Sequence, residues 1–127
     1  MTQEAAKVSR IQSFFAALTG WRVPALSFAA GAVAALGYAP LFLFPAYVLG
    51  IVVLIWLLDA AAQSPRRARA FFGRAWFWGL GHCLVGMYWI ASPFMVDPQS
   101  WGLLWAIPST LLFAGGLGVF WGLGGLL

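Results

Sequence analysis

The sequence predicts an all-α integral membrane protein, with about four transmembrane helices and a short N-terminal interfacial helix. Three observations predict it. Of 127 residues, 63% are hydrophobic and only 8% are charged, whereas a soluble domain carries roughly 25% charged residues. Mean hydropathy is +0.90. The stretch from Val23 to Leu58 holds no charged side chain at all. So little charge cannot coat a water-soluble surface of this size. The composition therefore excludes a soluble globular domain and a disordered chain, and the single cysteine excludes a disulfide scaffold.

Residues 1–22 form a cytoplasmic or interfacial segment. Ile11, Phe14, Phe15 and Leu18 recur at i, i+3, i+4 and i+7, with Arg10, Gln12, Ser13 and Thr19 between them. That spacing predicts one apolar face of a helix lying in the membrane interface. The helix is expected to end near Gly20, with Trp21 as an anchor. An unstructured tail is the alternative.

Residues 23–127 form the transmembrane domain. As one helix, the uncharged stretch would run about 54 Å, far beyond a hydrocarbon core of about 30 Å. It must turn back, and Tyr38-Ala39-Pro40 supplies the turn. Proline removes a backbone donor and disfavours helix at the residue before it. Pro45 fits the first turn of the next helix. The first two spans are thus expected near residues 24–38 and 45–58, joined by the apolar loop Leu41 to Phe44. Asp59 to Arg69 is a polar loop with Gln63, Ser64 and three arginines. The third span is expected over 70–92, ended by Pro93, followed by a polar turn containing Asp97, Gln99 and Ser100. The fourth is expected over 101–124, kinked at Pro108. The chain reaches Leu127 while still apolar and is expected to be a fragment of a larger polytopic protein.

Charge sets the expected orientation. The seven basic residues form two clusters, Lys7, Arg10 and Arg22, then Arg66, Arg67, Arg69 and Arg74. Two spans separate the clusters, so both lie on one side. With Glu4 and Asp59, that side carries 7 − 2 = +5, and the other side carries only Asp97. The positive-inside rule then places the N-terminus and the Arg66 loop in the cytoplasm. A cleaved signal peptide over 1–38 is the rival reading, opposed by three further apolar segments. The basic residues flank spans and do not form a face among polar residues, so no nucleic-acid partner is expected.

Small residues repeat every fourth position: Ser27, Gly31 and Ala35; Ala75, Gly79 and Cys83; Ala114, Gly118 and Gly122. Such stripes let helix backbones approach. Of the eight tryptophans, Trp21, Trp56, Trp76 and Trp121 are expected near the cytoplasmic interface. Trp89 and Trp101 are expected near the other, as an aromatic belt.

Chemistry has few candidates. His82 and Cys83 are adjacent in the third span, and adjacent helical residues point about 100° apart. With one histidine and one cysteine in the chain, no metal site and no cofactor are expected. His82 is expected to hydrogen-bond to a neighbouring helix, and Cys83 to act as a small hydrophobe. A nucleophilic Cys83 would need a base or cation beside it. Lys7 and Glu4 lie at the opposite end of the helix, so no catalytic residue is expected.

One segment goes further. Phe77 to Ile90 reads F-W-G-L-G-x-x-x-V-G-M-Y-W-I. Upstream come Gly31 to Pro40, with Leu36-Gly37-Tyr38-Ala39-Pro40, then Phe44-Pro45, a leucine-rich run and the arginine loop. This order resembles the N-terminal membrane region of bacterial apolipoprotein N-acyltransferases, over roughly residues 25–125. It departs at Phe44, where that family usually has tryptophan, and at His82-Cys83, where it usually has bulky apolar residues. The resemblance implies an inner-membrane enzyme of lipoprotein maturation. Such enzymes move an acyl chain from a membrane phospholipid to the N-terminal diacylglyceryl-cysteine of an apolipoprotein, through a thioester. It also implies that the chemistry belongs to a nitrilase-like domain with a glutamate, lysine and cysteine triad, none of which has a counterpart here. This chain would anchor that domain and would be inactive alone. Tyr88, Trp89 and Ser92, at the far end of the third span, would contact lipid or the catalytic domain. The alternative is a small non-enzymatic polytopic membrane protein, such as a transporter subunit or assembly factor.

Overall fold

The structure is a computed structural model, described over residues 3–38, 40–96 and 102–127. The described residues are helical, with no strand. In chain order the helices are α1 (Gln3–Ala17), α2 (Arg22–Ala35), α3 (Phe44–Ala61), α4 (Arg67–Gly86), α5 (Ser92–Val96) and α6 (Gly102–Gly124). A 3₁₀ turn, Tyr88–Ala91, links α4 to α5. The expected polar turn at Asp97, Gln99 and Ser100, and the expected span start at Trp101, lie outside the described residues.

α4 is the centre, packed against α2, α3 and α6. Glycines set how closely its neighbours approach. A Cβ at Gly31 would collide with the Trp78 carbonyl, and one at Gly81 with the Phe28 carbonyl. The two helices run parallel with their backbones in contact, so only glycine fits at these crossings. On the opposite side Gly79 faces Trp121, Gly122 faces Phe72 and Gly118 faces Trp76, which lays α6 antiparallel along α4. α3 returns antiparallel to α2, with Gly50 against Ala30 and Ala34 and Gly37 against Tyr47. The stripes Ser27-Gly31-Ala35, Ala75-Gly79-Cys83 and Ala114-Gly118-Gly122 are all buried. The α4 stripe serves α6, while Gly81, outside it, serves α2.

α1 ends at Ala17, before the expected end near Gly20. Phe15 stacks on Trp56 of α3, ring centroids 6.3 Å apart, and Gln12 Nε2 donates to Asp59 Oδ2 at 3.3 Å. Val8, Ile11 and Phe14 remain exposed.

Two helices, Phe44–Ala61 and Leu104–Gly124, are long and apolar enough to cross a membrane, with mean hydropathy 2.1 and 1.5. Among the described residues, length and composition thus single out two spans where the sequence reading expects four. α2 has 14 residues, about 21 Å of helix, and α4 opens on arginines. Boundaries also differ: the second span, expected over 45–58, runs on to Ala61, and the third, expected from residue 70, opens at Arg67. The first span ends at Ala35, not Tyr38, because its last turn tightens: Leu36, Gly37 and Tyr38 donate to Val33, Ala34 and Ala35 at 3.0–3.1 Å, the i→i−3 pattern of a 3₁₀ end. The third ends at Gly86, not Ser92. Met87 leaves the helical region, at φ −115° and ψ 26°. Pro93 does not stop a helix. It sits in the first turn of α5, where a missing N–H costs nothing. Pro45 likewise occupies the first turn of α3, as its position predicts.

Candidate functional site

The core is built around Trp78, which is completely buried. Its Nε1 donates to the Gly50 carbonyl at 2.9 Å. Its ring stacks on His82 at 4.9 Å and 13° and packs against Trp121 at 4.5 Å. Tyr38 meets the imidazole edge-on at 5.4 Å. His82 is therefore an aromatic packing group. Its Nδ1 makes no hydrogen bond, while the imidazole bonds to the Gly31 backbone of α2, the expected contact with a neighbouring helix. Cys83 is buried beside it. Lys7 lies on α1, at the arginine end of the molecule, so the structure does not bring it to Cys83. The side chain of Glu4 lies outside the described residues.

Trp76 donates Nε1 to the Gly115 carbonyl at 3.0 Å. Together with Trp56, stacked on Phe15, and Trp121, packed on Trp78, it takes part in helix packing. Trp21 and Trp89 are the expected interfacial rings that remain exposed; Trp101 lies outside the described residues.

A cleft of about 670 Å³ opens at the end opposite the arginines, between the turn after α2 and the 3₁₀ turn after α4. Gly37, Tyr38 and Phe42 form one wall; Gly86, Met87, Tyr88 and Trp89 form the other. Phe42 holds φ at +51°, a region that costs a side chain about 1–2 kcal/mol. The turn between two helices imposes it, since Leu43 N donates back to the Leu36 carbonyl at 3.0 Å. Tyr88 and Trp89, expected as contact residues, are exposed in this cleft. Ser92 is exposed at the start of α5 and lies outside the lining. The sequence reading missed Tyr38, Phe42 and Met87 as lining. The signal was the pairing of two loops at the same end of the hairpin, each rich in aromatic side chains.

The walls carry no charged side chain. They offer rings, a thioether and two phenol hydroxyls, so the cleft suits an apolar chain with a weakly polar end. Among the described residues, no three of the His, Cys, Asp or Glu side chains gather at one place.

The family described as the apolipoprotein N-acyltransferase N-terminal domain matches residues 30–127, from the middle of α2 to the end of α6. An apolipoprotein N-acyltransferase of Allorhizobium ampelinum is 33% identical over 122 residues, 91% of this chain and 23% of its own. One of Caulobacter vibrioides is 39% identical over 108 residues, 84% of this chain and 20% of its own. One of Rhizobium leguminosarum is 34% identical over 110 residues, 82% of this chain and 20% of its own. No solved structure matches the chain. The chain spans about a fifth of the length of these curated relatives. The match covers most of the chain, including α3, α4 and α6, and on that ground the chain belongs to the family of apolipoprotein N-acyltransferase N-terminal domains.

Proposed function

We propose that this chain is the membrane-embedded N-terminal segment of an apolipoprotein N-acyltransferase in the bacterial inner membrane. It anchors the enzyme, crosses the membrane through α2, α3, α4 and α6, and keeps its N-terminus and the Arg66 loop in the cytoplasm. The match over residues 30–127 carries this reading. Two further features support it. The outer faces of α3 and α6 expose Leu49, Ile55, Leu104, Leu112 and Phe120, a surface that lipid covers without penalty and water does not. The two basic clusters stand at one end of the bundle, the asymmetry that the positive-inside rule requires.

In this orientation the aromatic cleft faces the outer side. Tyr88 and Trp89 there contact either the acyl chain of a phospholipid donor or the rest of the enzyme, and Ser92 lies beside them. The phospholipid supplies the acyl group and an apolipoprotein N-terminus receives it. This segment holds substrate and scaffold, and the bond-making groups belong to the part of the enzyme that it anchors.

The test is a chimera. This chain replaces the corresponding segment of the Caulobacter vibrioides relative, in cells depleted of their own enzyme. A reporter lipoprotein should gain the mass of one acyl chain. A chimera that accumulates in the membrane but leaves the reporter unacylated would sink the reading.

A further inference from the structure

We propose that a second cleft, at the arginine end, binds the phosphate-bearing headgroup of an anionic phospholipid. This rests on the membrane-embedded reading above. The cleft measures about 460 Å³ and lies between the N-terminal ends of α2 and α4. Arg66, Arg69 and Arg74 line it, together with the apolar groups of Val23, Pro24 and Phe77.

Four observations select the occupant. First, the lining contains three guanidinium groups and no carboxylate. Asp59, the nearest acidic residue in sequence, accepts a bond from Gln12 and is outside the lining. Guanidinium forks match phosphate oxygens in pairs. Second, Arg74 is held in place: its Nη1 donates to the Leu57 carbonyl near the end of α3, so one cation is fixed at the inner wall before any ligand arrives. Third, the space is not a packing defect closed elsewhere. Gly73 lines the cleft within α4, and a Cβ there would meet nothing within 4 Å. A glycine inside a helix costs about 1 kcal/mol relative to alanine, and no neighbouring helix accounts for this one. Fourth, cations and an apolar wall share the same cleft. A free phosphate would use only the arginines, whereas a phospholipid uses both. The N-termini of α2 and α4 add their positive dipole ends. In the proposed orientation the cleft opens at the cytoplasmic leaflet, where anionic lipids attract basic segments.

The experiment extracts the full chain in mild detergent and counts bound lipid by native mass spectrometry. Phosphatidylglycerol, phosphatidylcholine and glycerol 3-phosphate are added separately. Phosphatidylglycerol should bind at least tenfold more tightly than phosphatidylcholine. Arg66→Gln with Arg69→Gln should weaken it about thirtyfold, from roughly one basic contact's worth of attraction at each position. Gly73→Leu, which fills the cleft without removing charge, should weaken it comparably. Arg67→Gln, on the same helix but outside the lining, should leave it unchanged. Equal binding of the two lipids overturns the proposal, as does an Arg67→Gln loss matching that of the double variant. Glycerol 3-phosphate binding as tightly as the lipid would make this a phosphate site and overturn the lipid assignment. A sodium carbonate wash of the membranes keeps the two readings apart. Chain released by the wash defeats the membrane reading and this proposal with it. Chain retained by the wash but without lipid preference defeats this proposal alone.

Discussion

The indole nitrogen of Trp78 donates to the carbonyl of Gly50 across the interface between α4 and α3, at 2.9 Å and with the indole fully buried. Gly50 also lets α3 settle against Ala30 and Ala34 of α2, so one hydrogen bond sits where three helices meet.

Trp78→Phe keeps most of the ring but removes the donor. The Gly50 carbonyl keeps its bond within α3, so losing the second donor costs about 0.5–1.5 kcal/mol. The variant should unfold at lower denaturant in a detergent titration by that amount, with helix content unchanged before the transition. An unchanged midpoint would show that the bond contributes nothing.

Gly31→Ala should be more damaging than its one methyl suggests. The added Cβ meets the Trp78 backbone carbonyl, and backbone cannot swing aside as a side chain can. Overpacking of this kind costs about 3 kcal/mol. Gly116→Ala is the control, because a Cβ there meets nothing within 4 Å. It should be neutral, or stabilising by under about 1 kcal/mol from helix propensity. Equal effects at the two sites would rule out the close approach of α2 and α4.

These two sites show what could be read without coordinates. The stripe Ser27-Gly31-Ala35 is legible because small residues four apart align on any helix, and its burial follows. The Trp78–Gly50 bond is not legible, since it joins residues 28 apart through a helix crossing. The helix ends at Ala35 and Gly86 were misplaced for a related reason. Proline positions mark where a helix cannot continue, but the 3₁₀ tightening before Tyr38 and the break at Met87 come from turns whose energies depend on packing. The aromatic cleft was half legible. Tyr88 and Trp89 stand out at the end of an apolar run, whereas Phe42 and Tyr38 join them only once the hairpin folds back.

Cysteine labelling tests the orientation, after Cys83 is replaced. A cysteine at Ser64, in the arginine-end loop, should be shielded from a membrane-impermeant maleimide in intact spheroplasts. A cysteine at Leu41, exposed in the turn at the opposite end, should label. The reverse pattern would invert the topology and put the aromatic cleft in the cytoplasm.

The last prediction is that the purified chain, by itself, transfers no acyl group, and that Cys83→Ala is nearly neutral. Acyl transfer through an enzyme thioester needs a thiolate, a base beside it and donors for the developing oxyanion. Cys83 is the chain's one thiol, and it is buried in α4 among small residues of the helix packing. Its neighbour His82 is stacked on Trp78 and met edge-on by Tyr38 and Trp121, within the helix packing. Lys7 is on α1, whose contacts are with α3 at the arginine end. The aromatic cleft offers phenol hydroxyls and an indole, which can orient a chain but cannot act as nucleophile and base together. Removing the thiol deletes one small buried group, within about 1 kcal/mol. In phospholipid vesicles with a diacylated lipoprotein peptide, mass spectrometry should find no added acyl chain. A catalyst-dependent gain of one acyl mass, abolished by Cys83→Ala, would show that this buried thiol is reachable after all.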